Sequence, residues 1–348
     1  MTRVWSTPLG GDAEEGRWTG IPVVTHGLVL FGIRGGIAAF DTATGREAWR
    51  AKLWSSGNHA YGYIRTAGDK ACLEDWPAVG CVDIATGTVL WARGIANSTG
   101  NCETEIDGSA WYIGTDSHMV YALEPASGRQ LWATDINPGA QFSSRVYGLA
   151  VSGDTLYATT VRLATEASNS SVGDLVGLDR KTGKVLFTYT TPGKGGFQGH
   201  PTIRGRLAIM NDGYASILIA IDRFALTEAW RTAADSSGYI NSETSPVLVG
   251  DTIFAASSDT QVYSVNANTG ALQWRVIALT HDSLGSLDVC GQRLLAVEFG
   301  GGYIIAVDRT SHESGIIPSI PRDVHSRIGA ANGIAYFETT NAVAAYRC

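Results

Sequence analysis

The sequence has few charged residues and no long apolar run. Charged residues account for 17% of its 348 residues, the net charge is −7, and no basic run occurs. Nucleic acid is therefore not expected as a partner, because its binding requires a basic surface. No apolar stretch approaches the roughly 18–20 residues that span a membrane, so we expect no transmembrane segment.

The first ten residues, MTRVWSTPLG, also lack the apolar core of a signal peptide. This absence leaves two compartments open. The protein is extracytoplasmic (periplasmic or secreted) if a signal segment has been removed, and otherwise it is cytoplasmic.

Short metal-binding and redox motifs are missing as well. None of the five cysteines is adjacent to another or part of a Cys-x-x-Cys pair, and no His-x-x-x-His spacing occurs. A zinc site made from neighbouring ligands is therefore not expected. Because five is an odd number, at least one thiol is free or forms an intermolecular bond.

What the sequence does contain is an internal repeat, as in FDTATGREAW, in which an acidic or amide marker precedes a glycine and then a tryptophan. Successive markers are separated by 42, 41, 55, 43, 44 and 42 residues, which is one period with a single insertion. A period of this length is typical of repeat folds. The markers are Asp41, Asp83, Glu124, Asp179, Asp222, Asn266 and Asp308.

Each repeat predicts four short antiparallel strands. Within 243–274, apolar strands at 246–249, 252–256 and 261–265 alternate with turns, and a last strand carries a tryptophan. Such a unit cannot bury both faces alone, so the copies are expected to pack radially as β-propeller blades, with the outer aromatic between neighbouring blades. The residues at the outer position are Trp5, Trp49, Trp91, Trp132, Phe187, Trp230, Trp274 and Ile316.

The two ends of the chain are predicted to close the ring. An eighth marker falls at Arg347, but the chain ends after the third strand of that repeat, and the segment RVWSTPL supplies a fourth strand with Trp5 in phase. We therefore predict an all-β, eight-bladed propeller of four-stranded antiparallel blades, forming a single domain over 1–348. Residues 1–8 complete the last blade, and closure removes the exposed sheet edges.

The segments YALEPASGRQLW and AAFDTATGREAW resemble the PQQ-like repeat, over essentially the whole chain. This repeat occurs in quinoprotein alcohol dehydrogenases and in BamB-like outer-membrane assembly lipoproteins. The resemblance implies the propeller fold and favours an extracytoplasmic location, but one fold carries many activities. Quinoprotein dehydrogenases have much longer chains and hold the quinone against a disulfide between adjacent cysteines. Because this sequence lacks such a pair, we expect no bound PQQ.

The channel mouth is the place where chemistry is expected. Pro22, Pro201 and Pro246 share one repeat position at the start of the innermost strand, and the residues before that position differ from blade to blade. They are polar or aromatic where a plain copy would repeat Ser-Pro. The catalytic candidates are His59, His200, Glu243 and His281. The ligand-binding candidates are Trp18, Tyr61, Glu103, Arg145, Tyr147, Gln198, Asn241, Asp282, His325 and Arg327.

Several functions are compatible with this ring of polar residues. The preferred hypothesis is a non-catalytic binding or scaffold propeller, monomeric and without a cofactor, whose mouth binds a small polar or anionic molecule or a protein partner. The alternative is a lyase, isomerase or hydrolase acting on a small polar or anionic substrate, since histidine transfers protons near neutral pH and arginine grips anions. A solvated mouth without a ligand, and a metal held by the histidines of separate blades, also remain open.

The insertion and the cysteines add two local expectations. Residues 160–172 of blade four would form a surface loop on the channel-mouth face, either a tolerated insertion or a lid. A disulfide between Cys72 and Cys81 is compatible with their paired strands, and one between Cys290 and Cys348 with their shared face. Further polar residues at the rim are Glu74, Asp75, Trp76, Asn211, Asp212 and Tyr214.

Overall fold

The structure is a computed structural model, and its strands form eight separate four-stranded antiparallel sheets. The predicted all-β, eight-bladed propeller is thereby confirmed. The residues that the structure describes are 1–10, 20–54, 62–75, 78–96, 102, 104–138, 144–163, 171–191, 196–212, 218–232, 245–257, 259–278, 284–298, 301–320, 323–324 and 326–348.

In blades 1 to 4 the four strands follow one another from the innermost to the outermost position. Blade 1 comprises β2 (Val23–Thr25), β3 (Leu28–Ile33), β4 (Gly36–Asp41) and β5 (Glu47–Lys52). Blade 2 comprises β6 (Ile64–Ala67), β7 (Lys70–Asp75), β8 (Ala78–Asp83) and β9 (Val89–Gly94). Blade 3 comprises β10 (Glu105–Ile106), β11 (Trp111–Gly114), β12 (Met119–Leu123) and β13 (Gln130–Asp135). Blade 4 comprises β14 (Ser144–Ser152), β15 (Thr155–Leu163), β16 (Ser171–Asp179) and β17 (Val185–Thr190).

Blades 5 to 7 repeat this order, and blade 8 combines both ends of the chain. Blade 5 comprises β18 (Phe197–Arg204), β19 (Leu207–Asp212), β20 (Leu218–Asp222) and β21 (Thr227–Thr232). Blade 6 comprises β22 (Val247–Val249), β23 (Thr252–Ala256), β24 (Gln261–Asn266) and β25 (Leu272–Ile277). Blade 7 comprises β26 (Leu284–Cys290), β27 (Arg293–Glu298), β28 (Ile304–Asp308) and β29 (Ser314–Ile316). Blade 8 comprises β30 (Gly329–Ala331), β31 (Ile334–Thr339), β32 (Ala342–Arg347) and β1 (Thr2–Pro8).

The predicted closure by the N-terminal strand is confirmed. Strand β1 pairs antiparallel with β32, and Trp5 lies opposite Ala345. The Trp5 side chain is 8% exposed, and it packs with Val343 and Tyr336 in one apolar cluster. The first strand therefore seals an edge of blade 8 that would otherwise expose unpaired backbone groups.

The repeated marker, glycine and tryptophan form a contact between adjacent blades. The Asp41 carboxylate accepts hydrogen bonds from the backbone N–H groups of Ala43 and Thr44, which fixes the turn. Gly45 has a φ of +72°, and a Cβ atom there would lie 2.5 Å from the Trp5 ring. The Trp5 indole N–H donates to the Thr42 carbonyl at 2.9 Å. Glycine is thus required twice, for its backbone conformation and for the space that the indole fills.

The same contact recurs in blades 1, 2 and 3 with different residues. The indole N–H of Trp49, Trp91 and Trp132 donates to the carbonyl of the residue after the next marker. Glycines 87, 128 and 183 of those turns lie against the same three indoles. We call this arrangement the inter-blade clasp. Its repetition explains why the signature appears in the sequence at a fixed period.

Blade 7 departs from the pattern, and the assignment of Ile316 to the outer position was wrong. In the other blades the pairing register of the outermost strand shifts next to the marker. This shift places the aromatic residue opposite the residue two positions before the marker, as Trp274 lies opposite Ser264 in blade 6. No shift is present between β28 and β29, so Gly315 lies opposite Ala306. Ile316 is consequently 39% exposed rather than wedged between blades.

The apolar core is divided among the interfaces between blades. One cluster joins Leu30 of blade 1 to Leu73 of blade 2, and another joins Tyr157 of blade 4 to Phe197 of blade 5. Disulfides join Cys72 to Cys81 and Cys290 to Cys348, and Cys102 is a buried free thiol. The second disulfide ties the C-terminal residue to the innermost strand of blade 7.

The insertion in blade 4 is partly absorbed into longer strands. Strands β15 and β16 pair without a break from Thr155 opposite Asp179 to Leu163 opposite Ser171. The predicted loop over 160–172 is therefore too long at both ends, and residues 164–170 lie outside the described part of the chain. Strand extension was not anticipated because Ser and Asn within the insertion are typical of loops.

Candidate functional site

The channel-mouth face is defined here as the face where the innermost strands begin and where the turns between second and third strands lie. Five ligand-binding or catalytic candidates fall within the described residues, namely Arg145, Tyr147, Gln198, His200 and Arg327. The other candidates lie outside the described residues. They are Trp18, His59, Tyr61, Glu103, Asn241, Glu243, His281, Asp282 and His325, together with the rim residues Trp76 and Tyr214.

Arg145 and Tyr147 lie together where blade 4 begins. The Arg145 guanidinium is 5.6 Å from the centre of the Tyr147 ring, a cation–π contact. It also forms an ion pair with Asp116, at 2.5 Å from Nε to Oδ1 and 2.9 Å from Nη2 to Oδ2. Asp116 lies in the turn after β11 of blade 3, so this ion pair bridges two blades.

A second pair at the same rim was missed by the sequence analysis. His118 Nδ1 lies 2.7 Å from Asp135 Oδ1, and the same oxygen accepts a hydrogen bond from the Asn137 backbone at 2.9 Å. His118 has a φ of +54°, and its carbonyl accepts a hydrogen bond from the Ile136 N–H. The turn of blade 3 is therefore fixed to the exit of its own outermost strand. The site candidates precede the innermost strands and the predicted rim residues come from blades 2 and 5, so the β11–β12 turn of blade 3, which contains His118, was not included.

His200 of blade 5 lies near an acid from blade 3. His200 Nε2 is 3.7 Å from Glu105 Oε2, and both side chains are partly exposed. The His200 backbone N–H donates to the Ser245 hydroxyl of blade 6 at 2.8 Å. Gly148 of blade 4 packs against Gly199 and His200. A Cβ atom on Gly148 would lie 2.2 Å from the Gly199 carbonyl oxygen. Close packing of blade 4 against blade 5 therefore requires a glycine here.

Three buried polar side chains at the mouth have unused hydrogen-bonding capacity. Gln198 is 8% exposed, and its Oε1 atom has no hydrogen-bond partner among the described residues. Thr104 and Ser144 are fully buried, and their hydroxyl groups also have no hydrogen-bond partner among the described residues. Buried polar groups of this kind are normally satisfied by water or by a ligand. They belong to blades 3, 4 and 5, the same sector as the His200–Glu105 pair.

Two arginines lie near one tyrosine ring where blade 2 begins. The Arg327 guanidinium of blade 8 lies 5.0 Å from the centre of the Tyr63 ring of blade 2, and Arg65 lies 5.7 Å from the same centre. Tyr63 and Arg65 were not among the candidates. Arg65 occupies the repeat position of Val23 and Val247, where an apolar residue is found, and that contrast was the signal that could have revealed it.

Carboxylates are buried where the second strands end on this face. Glu74, Asp75, Asp212, Glu298 and Glu338 are each no more than 3% exposed. Arg231 of the outermost strand pairs with Asp212. In blade 4, Arg162 pairs with the buried Asp174 at 2.7 Å. The predicted rim residues at the end of β7 and β19 therefore lie inside the blades rather than at an open rim.

Burial also changes the acidity of one carboxyl on an innermost strand. Burial raises the pKa of Asp288 above its usual range, although its carboxylate accepts hydrogen bonds from the backbone N–H groups of Val289 and Ala330. The second of these bonds crosses from blade 7 to blade 8. Asp288 therefore acts mainly as a contact between blades.

The described residues contain neither a cluster of metal ligands nor a candidate membrane span. Within them, no group of three or more His, Cys, Asp or Glu side chains is arranged to bind a metal ion. The described residues also contain no helix that is long and apolar enough to cross a membrane.

Comparison with known proteins identifies the family. The chain is 24% identical over 188 residues to a polyvinylalcohol dehydrogenase from Sphingopyxis sp. (strain 113P3), covering 53% of this chain and 27% of that protein. It is 27% identical over 257 residues to the outer membrane protein assembly factor BamB of Burkholderia pseudomallei (strain K96243), covering 70% of this chain and 62% of that protein. The chain thus spans less than two thirds of either relative.

A solved structure agrees with the fold along the whole chain. The crystal structure of BamB from Moraxella catarrhalis superposes with a TM-score of 0.74 at 17% identity, covering 100% of this chain and 97% of that one. Residues 2–91 and 116–345 match the family described as outer membrane protein assembly factor BamB. Because this match covers most of the sequence, the chain belongs to that family.

Proposed function

We propose that this protein is a non-catalytic scaffold propeller that binds a protein partner through its channel-mouth face during assembly of outer membrane proteins. The observation that carries the proposal is the family match over 2–91 and 116–345, which spans nearly every blade. The role is taken from the printed description of the family and its relative in Burkholderia pseudomallei.

The rim between blades 3 and 4 supports a binding role. Arg145 forms an ion pair with Asp116, and the His118 ring is held against the Asp135 carboxylate at 2.7 Å. Paired side chains of this kind present a fixed surface and lose little conformational freedom when a partner binds. A protein partner is therefore favoured over turnover of a substrate at this rim.

The two disulfides support an extracytoplasmic location. The protein contains the disulfides Cys72–Cys81 and Cys290–Cys348. Disulfide bonds persist in oxidising compartments and are rare in the reducing cytosol. In protein isolated from its host with free thiols blocked, we expect four of the five cysteines to react only after reduction. A protein whose five thiols all react directly would contradict this location.

Site-specific photo-crosslinking in the native host tests the scaffold role. A probe replacing Pro138, exposed between blades 3 and 4 on the channel-mouth face, should give a discrete crosslink to a protein of the outer membrane assembly process. A probe replacing His26, exposed in the turn between β2 and β3 on the opposite face, is the matched control. Deletion of the gene should also lower the amount of outer membrane proteins. Equal crosslinking from both faces, together with unchanged amounts of those proteins, would overturn the proposal.

We further propose that the protein acts without PQQ. The sequence has no adjacent cysteine pair, and the described cysteines are engaged in two separate disulfides or, for Cys102, buried. Calorimetric titration with PQQ is expected to give no affinity in the micromolar range, and a micromolar dissociation constant would contradict this.

A further inference from the structure

The junction between blades 7 and 8 is built differently from the junctions that carry the inter-blade clasp. A clasp needs an aromatic side chain on the outermost strand of one blade and a marker turn in the next, as when Trp5 of blade 8 donates to Thr42 of blade 1. The outermost strand of blade 7, β29, has Ile316 instead, and this side chain is 39% exposed. In blade 8 the outermost strand β1 comes from the other end of the chain, so no marker turn joins it to β32. Both parts of the clasp are therefore missing at this junction.

A covalent bond connects blades 7 and 8 instead. Cys348 directly follows the marker Arg347, and it thus occupies the repeat position of Thr42, whose carbonyl accepts the indole N–H in the clasp. The backbone shows the same equivalence, because the Cys348 N–H donates to the Gly333 carbonyl at 3.0 Å and the Thr42 N–H donates to the equivalent carbonyl of blade 1. From this position Cys348 forms a disulfide with Cys290 of blade 7. The bond joins the two blades where the clasp is absent.

The two disulfides of the protein differ in how far solvent can reach them. Cys72 and Cys81 lie opposite each other on β7 and β8 within blade 2, and both are 0% exposed. Cys290 is also buried, but Cys348 is partly exposed, so solvent approaches this disulfide from the side of Cys348. The rate of thiol–disulfide exchange depends on the access of an attacking thiolate to a sulfur atom. A thiolate can therefore reach the Cys290–Cys348 bond more readily than the bond inside blade 2.

We infer that the Cys290–Cys348 disulfide is a thiol–disulfide exchange site that a dithiol reductant opens in the folded protein, and that its opening loosens the junction between blades 7 and 8. One thiolate of the dithiol attacks the Cys348 sulfur, and the Cys290 sulfur leaves and takes up a proton. The second thiol of the reductant then displaces Cys348 from the mixed disulfide. The dithiol is oxidised to its own disulfide, and the bond between the blades becomes two thiols by transfer of two electrons and two protons.

Reduction is expected to loosen the junction without separating the blades. An apolar cluster that includes Leu295 of blade 7 and Phe337 of blade 8 lies across the same interface. A hydrogen bond also crosses it between the innermost strands, from the Ala330 N–H to the Asp288 carboxylate at 2.7 Å. These contacts do not involve a sulfur atom and remain after reduction. What is lost is the tether at the end of β32, the strand that pairs with β1, so the effect is expected at the closure of the ring. This site is additional to the scaffold role and does not depend on it.

Mild reduction of the oxidised native protein, followed by alkylation, tests the exchange site. Dithiothreitol is the dithiol; it is added in increasing concentration well below the melting temperature, and alkylated cysteines are mapped by mass spectrometry. Cys290 and Cys348 should be alkylated at a dithiothreitol concentration at least about tenfold lower than Cys72 and Cys81, because access limits exchange. The buried free thiol of Cys102 reports unfolding and should stay unlabelled at that concentration. Equal sensitivity of the two disulfides, or no reduction of either before Cys102 reacts, would contradict the inference.

Hydrogen exchange and thermal unfolding measure the consequence for the ring. After mild reduction, alkylation and removal of the reductant, amide exchange in β1 and β32 should accelerate at least about tenfold, while β7 and β8 of blade 2 stay unchanged. The melting temperature should fall by about 5 °C, because the bond links residues separated by 58 positions. Cys348→Ser should reproduce both changes without reductant, which excludes an effect of the alkyl group itself. Its melting temperature should not fall further after the same mild treatment.

Two results of these measurements would sink the inference. Unchanged exchange in β1 and β32 of the reduced wild-type protein would mean that the bond does not hold the ring closed, whether or not the variant folds. A Cys348→Ser protein that is destabilised by mild reduction as much as the wild type would place the effect at the other disulfide. Crosslinking from position 138 to a protein partner could still succeed in each case, so failure of this site is distinguishable from failure of the scaffold role.

Discussion

The outer strands and the channel mouth of the same blades differ in how far they repeat. At the outer strands of blades 8, 1, 2 and 3 one contact, the inter-blade clasp, recurs with the same atoms, as in Trp5 to Thr42 and Trp49 to Ile84. At the mouth each blade has its own arrangement, such as Arg145 with Asp116 or His200 with Glu105. Repetition is found at the interfaces between adjacent blades. Variation is found at the channel mouth, which all blades share.

The difference has an energetic cause. A clasp buries most of an indole and satisfies its N–H, so its loss leaves both a cavity and an unpaired partner. An ion pair at a partly exposed mouth contributes little, because solvent screens the charges. Residues at the mouth are therefore free to differ among blades without a large loss of stability. Substitutions at the two places should therefore differ in their effect on stability.

Removing the clasp that closes the ring should have the largest effect. Trp5→Ala is expected to lower the free energy of unfolding by about 3–5 kcal/mol, because the cavity lies between blades 8 and 1. Ile316→Ala is the control in blade 7, where the side chain is 39% exposed, and it should cost less than about 1 kcal/mol. Urea denaturation measures both values. Similar losses from the two variants would contradict the structural distinction between these positions.

The glycine of the clasp should be more sensitive than a glycine in an open turn. Gly45 and Gly27 have nearly the same φ, +72° and +75°, but only Gly45 has the Trp5 ring where a Cβ atom would be. Gly27→Ala therefore measures backbone strain alone, about 1 kcal/mol. Gly45→Ala adds overpacking and should cost about 1–3 kcal/mol more. If thermal or urea unfolding shows equal losses, the indole does not restrict the glycine.

The sequence predicted the outer strands better than the mouth, and for a physical reason. The period of the marker, glycine and tryptophan predicted the blades, their number and the closure by Trp5, since one contact repeats. The period did not predict that β28 and β29 pair without a register shift, which leaves Ile316 exposed. No residue type in the repeat signals the pairing register. It also missed Arg65 and His118, whose partners come from other segments. No repeat rule predicts a contact that occurs once.

The marker carboxylates should make stability sensitive to acid. Hydrogen bonds from the Ala225 backbone and the Arg206 guanidinium lower the pKa of Asp222 from 3.8 to about 2. Because the folded-state pKa is depressed, this contribution is complete above the unfolded value and is lost as pH falls toward 2. Asp222→Asn should flatten that part of the curve of melting temperature against pH. Asn266, whose Oδ1 accepts hydrogen bonds from the backbone N–H groups of residues 268 and 269, shows that an amide can also cap this turn.

The smallest effect on stability is expected at the mouth. His200 is partly exposed and lies 3.7 Å from Glu105, a separation at which a screened ion pair contributes little. His200→Ala should therefore change the free energy of unfolding by less than about 0.5 kcal/mol, an order of magnitude below Trp5→Ala. If the mouth serves binding, the same variant should weaken ligand binding or crosslinking at the channel-mouth face while the melting temperature stays nearly constant. A sharp fall in melting temperature would mean that His200 stabilises the fold. The distinction between stabilising outer strands and a binding channel mouth would then not hold for blade 5.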